Sequence, residues 1–246
     1  MKYKVDNAII MAAGMAKRFL PLSHICPKPL LNVKGEVLIE RQIRQLREAG
    51  IYDIIVVTGY MKERFSYLKD AYNIEIVENP SYIERNNNSS IFAVKKYLQN
   101  SYICSADNYF TVNPFEKEVM GGAYYSAIYA DGKTEEWCLS IDDKDCITGV
   151  VIGGTHQWYM MGHAFWTKDF SKKFVEILEK EYPKEETKNK LWETIYIEHL
   201  SDLRMKIRRY QKGEILEFDS LYELANFDVR YQQKSVEKII TDLNYK

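Results

Sequence analysis

Apolar positions along this chain fall into two kinds of run. Residues 7–12 are almost continuously apolar and end in small residues before Gly14. That pattern predicts a strand buried on both faces that feeds a loop. The same reading gives strands at 53–58, stopped by Gly59, at 74–77, and at 102–105, which runs into Ala106-Asp107-Asn108. Between them the spacing turns helical. Over 37–49, Ile39, Ile43 and Leu46 share one face and Gly50 follows as a C-cap. Over 89–98, Ile91, Val94 and Leu98 do the same. Strand and helix therefore alternate through the first half, which implies a parallel sheet covered by helices on both faces. Ligands of such sheets sit beyond the carboxyl ends of the strands. The Gly14 loop, Gly59-Tyr60 and Asp107 all fall there, so they are expected to converge.

The second half changes character. Strands are predicted at 123–130, 137–141, 146–152 and 159–166, and helices at 170–181 and 190–200. A half-exposed strand follows at 205–210 and a short one at 215–218. Ser220-Leu221-Tyr222-Glu223 has the form of a capping box, so a helix starts there and Asp219 sits at a strand-to-helix junction. The stretch 235–243 reads as a small amphipathic helix.

Composition narrows the class. With 46% hydrophobic and 28% charged residues, the chain is an ordinary globular one, not disordered, collagenous or coiled-coil. A formal net charge of −1 gives no ground for a nucleic-acid partner. No apolar run spans a bilayer, and the first residues lack the apolar core of a signal peptide, so a cytoplasmic location is expected. The four cysteines form no C-x-x-C pair and show no zinc spacing with histidine, which fits free thiols in a reducing compartment.

The sharpest chemistry lies at 11–29. Small residues after a buried strand let backbone amides approach a phosphate closely. Arg18 and Lys28 add a planar fork and a point charge, which suit a triphosphate. Neither G-x-G-x-x-G nor G-K-[ST] is present. On its own the segment also fits a plain strand-loop-helix with surface cations. Asp107 beside Asn108 also fits a turn, and Asp219 also fits an anion at a helix N-terminus.

The run Ala12-Ala13-Gly14-x-x-x-Arg18 with Pro27-Lys28 resembles the signature of sugar-nucleotide-type nucleotidyltransferases. Pro21 holds its place and Ser23 stands where threonine is usual. Ala16 replaces the second glycine of the family loop, so a methyl group must fit where backbone nears phosphate. Further segments make the chain similar to the bacterial CTP:phosphocholine cytidylyltransferases of the choline-incorporation pathway. These are 59–63, Tyr82 with Asn86-Asn87 and Ser90, 106–109, Glu136-Trp137, Trp192, and 217–220. The resemblance covers about 7–228. It implies a Rossmann-like α/β nucleotidyltransferase fold, with a mostly parallel central sheet flanked by helices and a smaller β-rich acceptor-binding part. It also implies one domain over 1–228, divided into a nucleotide-binding half (7–110) and an acceptor-binding half (111–228). Residues 229–246 would be a C-terminal helix or tail.

The implied chemistry is transfer of CMP from CTP to phosphocholine with Mg²⁺ as cofactor. The nucleotide site implied comprises Ala12, Ala13, Gly14, Met15, Ala16, Arg18, Tyr60, Asn87, Ser90, Ala106 and Asp107. Lys28 and Arg18 would act on the phosphates, with Asp107 and Asp219 as metal ligands. The acceptor side would be Tyr129, Glu136, Trp137, Trp192 and Glu193, since ring faces beside carboxylates hold a quaternary ammonium. Phosphoethanolamine, 2-aminoethylphosphonate or a sugar 1-phosphate remain alternative acceptors, and a non-catalytic nucleotide-binding module is the rival of another class. Related segments also occur fused to a choline kinase, so the chain is compatible with being one unit of a larger protein.

Overall fold

The computed structural model describes residues 1–232 together with 238 and 239. The helix predicted at 235–243 lies outside the described residues, save those two positions. The first half follows its hydrophobic pattern. Strands β1 (Asn7–Ala12), β2 (Ile54–Thr58), β3 (Glu75–Glu78) and β4 (Ser101–Ser105) pair in the parallel order β4-β1-β2-β3. Helices α1 (Leu38–Glu48), α2 (Tyr67–Tyr72) and α3 (Asn88–Ala93) connect them. Successive residues of a strand serve opposite faces. Ile10 and Val56 pack with Ile39, Ile43 and Leu46 of α1, whereas Ile9, Ile55 and Val57 pack with Ile91 of α3 on the other side.

The second half extends this same sheet. After the short β5 (Asn108–Phe110) come β6 (Tyr124–Tyr129), β7 (Lys133–Ile141), β8 (Ile147–Thr155) and β9 (Trp158–Trp166). Strand β9 lies antiparallel to β4, with Phe165 opposite Tyr102, and this joint makes the sheet mixed. Helices α4 (Lys168–Glu181) and α5 (Trp192–Glu198) cover one face. Strand β10 (Lys206–Tyr210) is parallel to β6, and β11 (Ile215–Glu217) leads into α6 (Leu221–Phe227), whose capping box is formed by Ser220 and Glu223 as predicted.

Two predicted helices are shorter than their periodicity suggested. The 89–98 helix leaves α geometry at Val94 and tightens to a 3₁₀ turn at Lys95–Tyr97 before the chain re-enters the sheet. The 190–200 helix begins only at Trp192, because Asn88 Nδ2 bonds the Lys190 carbonyl and Leu191 stays extended. The β7–β8 hairpin is longer than predicted. Pairing runs on to Lys133 opposite Thr155, through a polar stretch that reads as loop in sequence. None of the described helices is long and apolar enough to cross a membrane.

Candidate active site

The ends of β1, β2 and β4 are adjacent because of strand register. Met11 stands beside Ser105 of β4, and Ala12 beside Thr58 of β2. The chain beyond β1 is pinned where the Tyr60 amide donates to the Ala13 carbonyl at 3.1 Å. An open cleft of about 380 Å³ lies over these ends. Ala12, Ala13, Gly14, Ala16 and Arg18 line one wall. Lys28, Asn87, Ser90, Ala106, Asp107 and Asp219 line the rest. Met15 and Tyr60 are not among the lining residues; Tyr60 holds the loop through its backbone amide.

Ala16 adopts a left-handed conformation with φ 45°. That is the region a glycine enters freely and an L-residue enters at a cost of roughly 1–2 kcal/mol. A Cβ built on Gly14, by contrast, would meet nothing within 4 Å. Gly14 lines the cleft, and the space where a Cβ would stand is open.

Lys28 is 6% exposed. Its Nζ lies 3.0 Å from Asp107 Oδ2 and 4.8 Å from the centre of the Phe19 ring. Burial is the largest influence on Asp107 and works against its ionisation, but the Lys28 charge and the hydrogen bonds around the carboxyl together keep it below the usual range. The other oxygen, Oδ1, is buried without a partner. Arg18 bonds Asp219 at 2.8 Å in an exposed pair of small energetic weight. Glu217 joins this group because it stands opposite Asn108 in the β5–β11 ribbon. Its carboxyl is pushed up to about 8, first by the negative charge of Asp107, then by desolvation and by Asp219.

The residues expected on the acceptor side divide. Glu136 is exposed beside the cleft mouth; desolvation raises its carboxyl, with the charges of Asp219 and Glu223 adding to this. Trp137 packs half-buried at the edge of the cluster that contains Trp192. Trp192 itself is 1% exposed. Its ring stacks on Tyr125 and meets Trp166 and Phe174, so it offers no open face for a cation in this structure. Glu193 accepts from Asn87 Nδ2 at 3.1 Å and from the Tyr125 hydroxyl at 3.4 Å. Tyr129, at the end of β6, is exposed, with its hydroxyl bonded to the His156 carbonyl and its ring against Trp158; like the other four it does not line the cleft.

Sequence reasoning did not single out Asn79, Tyr82 as a cleft wall, or Tyr125. Asn79 follows β3 at a strand end, so the strand-end rule could have found it. Its Nδ2 donates to Ser89 and Ser90 at 2.8 and 3.1 Å and orders the pocket. The Tyr82 ring packs so tightly on Gly59 that a Cβ there would sit 2.7 Å from Cγ.

The MobA-like NTP transferase domain family matches residues 8–138, more than half of the chain. A choline-phosphate cytidylyltransferase of Streptococcus pneumoniae is 34% identical over 90% of this chain and 96% of its own length. The chain belongs to the MobA-like NTP transferase family.

It is a nucleotidyltransferase of the same size class as its cytidylyltransferase relatives. A 2-aminoethylphosphonate cytidylyltransferase of Lancefieldella rimae is likewise 34% identical, over 92% of this chain and 93% of its own length. The solved structure of the CTP:phosphocholine cytidylyltransferase from Streptococcus pneumoniae superposes with a TM-score of 0.86 at 33% identity. That superposition covers 91% of this chain and 97% of the other, so the nucleotidyltransferase likeness extends through the second half, beyond the family match.

Proposed function

We propose that this nucleotidyltransferase transfers CMP from CTP to phosphocholine, giving CDP-choline and pyrophosphate. The observation that carries the reading is the near full-length likeness, in sequence and in structure, to CTP:phosphocholine cytidylyltransferase. The cleft supports it. A phosphate oxygen of the acceptor attacks the α-phosphorus of CTP, and the bond to the bridging oxygen of pyrophosphate breaks. A phosphate is already a competent nucleophile, so no covalent enzyme intermediate is needed. Lys28, held in place by Asp107 and Phe19, offers a fixed positive charge where negative charge gathers. The amides of the 13–16 loop cradle the phosphates. Arg18 is free to exchange its exposed bond to Asp219 for a phosphate oxygen, since that pair is weak.

Mg²⁺ suits the acidic group. It takes hard oxygen ligands, commonly one or two carboxylates together with substrate phosphates. Asp107 Oδ1 is buried without a partner, and the negative charge of Asp107 raises the Glu217 carboxyl. Asp107 and Asp219, with Glu217 beside them, would hold the ion, which when bound offsets the charge of the triphosphate. The acceptor's trimethylammonium would lie against Trp137 with Glu136 as its counter-ion. Free thiols at all four cysteines suit a cytoplasmic site of action.

A second reading is transfer to 2-aminoethylphosphonate. It is favoured by the equal identity to that cytidylyltransferase. The burial of Trp192 also leaves fewer open ring faces than two cage walls require. Pyrophosphate release tests the main reading. CTP with phosphocholine and Mg²⁺ should turn over, and ATP, GTP or UTP should not replace CTP. No release with CTP and phosphocholine would overturn it.

A further inference from the structure

Asn87 lines the nucleotide cleft, and its side chain is held from the acceptor half of the chain. The backbone amide of Trp192 can only donate, so the atom 2.7 Å from it is the Asn87 oxygen. The amide nitrogen must then face Glu193, at 3.1 Å from Oε2. One hydrogen of that nitrogen is left for a ligand. The second Glu193 oxygen accepts from the Tyr125 hydroxyl at 3.4 Å. Tyr125 is buried and stacked on Trp192, with ring centres 5.7 Å apart at 26°. Glu193 is thus held from both sides by neutral donors, which fix the position of its carboxylate.

We propose that Glu193 is a positioning residue for base selection: it holds the Asn87 amide so that a donor faces the pyrimidine. The chemistry favours cytosine. Cytosine carries an acceptor at N3, where uracil carries an N–H, so a fixed donor suits one base and opposes the other. Burial raises the Glu193 carboxyl to about 7, and the bonds from Asn87 and Tyr125 act against that rise. The Asn87 bond is the largest of the influences that oppose its desolvation, followed by a backbone amide and the Tyr125 hydroxyl. The inference rests on the proposed reading that the cleft takes a cytidine nucleotide.

Two substitutions separate hydrogen bonding from charge. Glu193→Gln keeps an acceptor oxygen within reach of Asn87 and removes the charge. Glu193→Asp keeps the charge and withdraws the oxygen by one methylene. Affinities for CTP and UTP are measured by calorimetry with Mg²⁺ and no acceptor, and KM for phosphocholine at saturating CTP. Glu193→Gln should keep the CTP-to-UTP preference within about threefold. Glu193→Asp should lower it about tenfold, the scale of one lost hydrogen bond to a buried group. Both should leave the phosphocholine KM unchanged. The reverse order, with Gln raising that KM and Asp sparing both readouts, overturns the inference alone. Equal affinity of the unaltered protein for CTP and UTP would overturn the cytidine reading along with it.

Discussion

Lys28 and Asp107, 79 residues apart in the chain, meet as an ion pair at 3.0 Å, with the lysine all but sealed from solvent. The pair joins the first loop of the fold to the end of β4. It thereby sets one fixed charge at the point where three strand ends converge.

Substituting Lys28 should therefore separate stability from turnover. Lys28→Arg keeps a cation for Asp107 but replaces a point charge with a broader fork. It should leave the melting temperature within a few degrees and lower kcat at least tenfold. Lys28→Ala should lower kcat by about 10²–10³, the usual scale for a lost electrostatic donor. It should also destabilise the fold, because a largely buried carboxylate loses its partner. Normal kcat in either variant would remove Lys28 from the reaction.

The phosphate loop offers two glycine-alanine exchanges with opposite outcomes. Gly14→Ala should leave thermal stability unchanged, since the added methyl meets no protein atom within 4 Å. It should still raise the KM for CTP, because the methyl enters the space a phosphate would occupy. A fall in melting temperature with an unchanged KM would contradict this.

Ala16→Gly should stabilise the protein by about 1 kcal/mol, as the φ of 45° no longer carries a Cβ. Urea unfolding measures this directly. A destabilised Ala16→Gly variant would mean that the backbone entropy of the added glycine outweighs the relieved strain.

Stability should also fall in acid because of a group that does not line the cleft. His163 is fully buried between Tyr124 and Ser126, and burial, aided by the Arg208 charge, lowers its pKa to about 3. The unfolded chain binds this proton near pH 6.5 and the folded one only near pH 3. The stabilisation is thus complete above pH 6.5 and is lost as pH falls through that window, on the order of a few kcal/mol in all. His163→Gln should flatten the urea-derived stability between pH 7 and pH 5 relative to the unaltered protein. Parallel curves would show that another group governs the acid limb.

Much of this was legible in the chain. Buried apolar runs ending in Gly14, Gly59 and Asp107 marked the parallel strands and the end of the sheet that carries the cleft, because such runs satisfy both faces at once. What local pattern could not carry were contacts between distant segments. Trp192 stands beside Glu193 in a helix that looks amphipathic, and nothing local shows that its ring faces Tyr125, Trp166 and Phe174. Tyr129 matched a motif position, yet its hydroxyl is taken up by the His156 carbonyl and its ring by Trp158. Glu217 was ambiguous for the same reason: only its register opposite Asn108 puts it beside Asp107.

The acceptor wall is open to one substitution test. Trp137→Ala should raise the KM for phosphocholine about tenfold, given a cation–π contact of roughly 1–2 kcal/mol, and leave the KM for CTP unchanged. Trp192→Ala should mainly destabilise the protein, by about 3–5 kcal/mol, because its ring is core. A Trp192→Ala variant with normal stability and a raised phosphocholine KM would show instead that this ring reaches the acceptor.

The most direct test of the central claim is competition between acceptors. With CTP and Mg²⁺ held constant, kcat/KM is measured for phosphocholine and for 2-aminoethylphosphonate, with products identified by mass. Phosphocholine should be preferred at least tenfold, with CDP-choline as the product. A preference for 2-aminoethylphosphonate, accompanied by a larger loss from Glu136→Gln than from Trp137→Ala, would contradict the account.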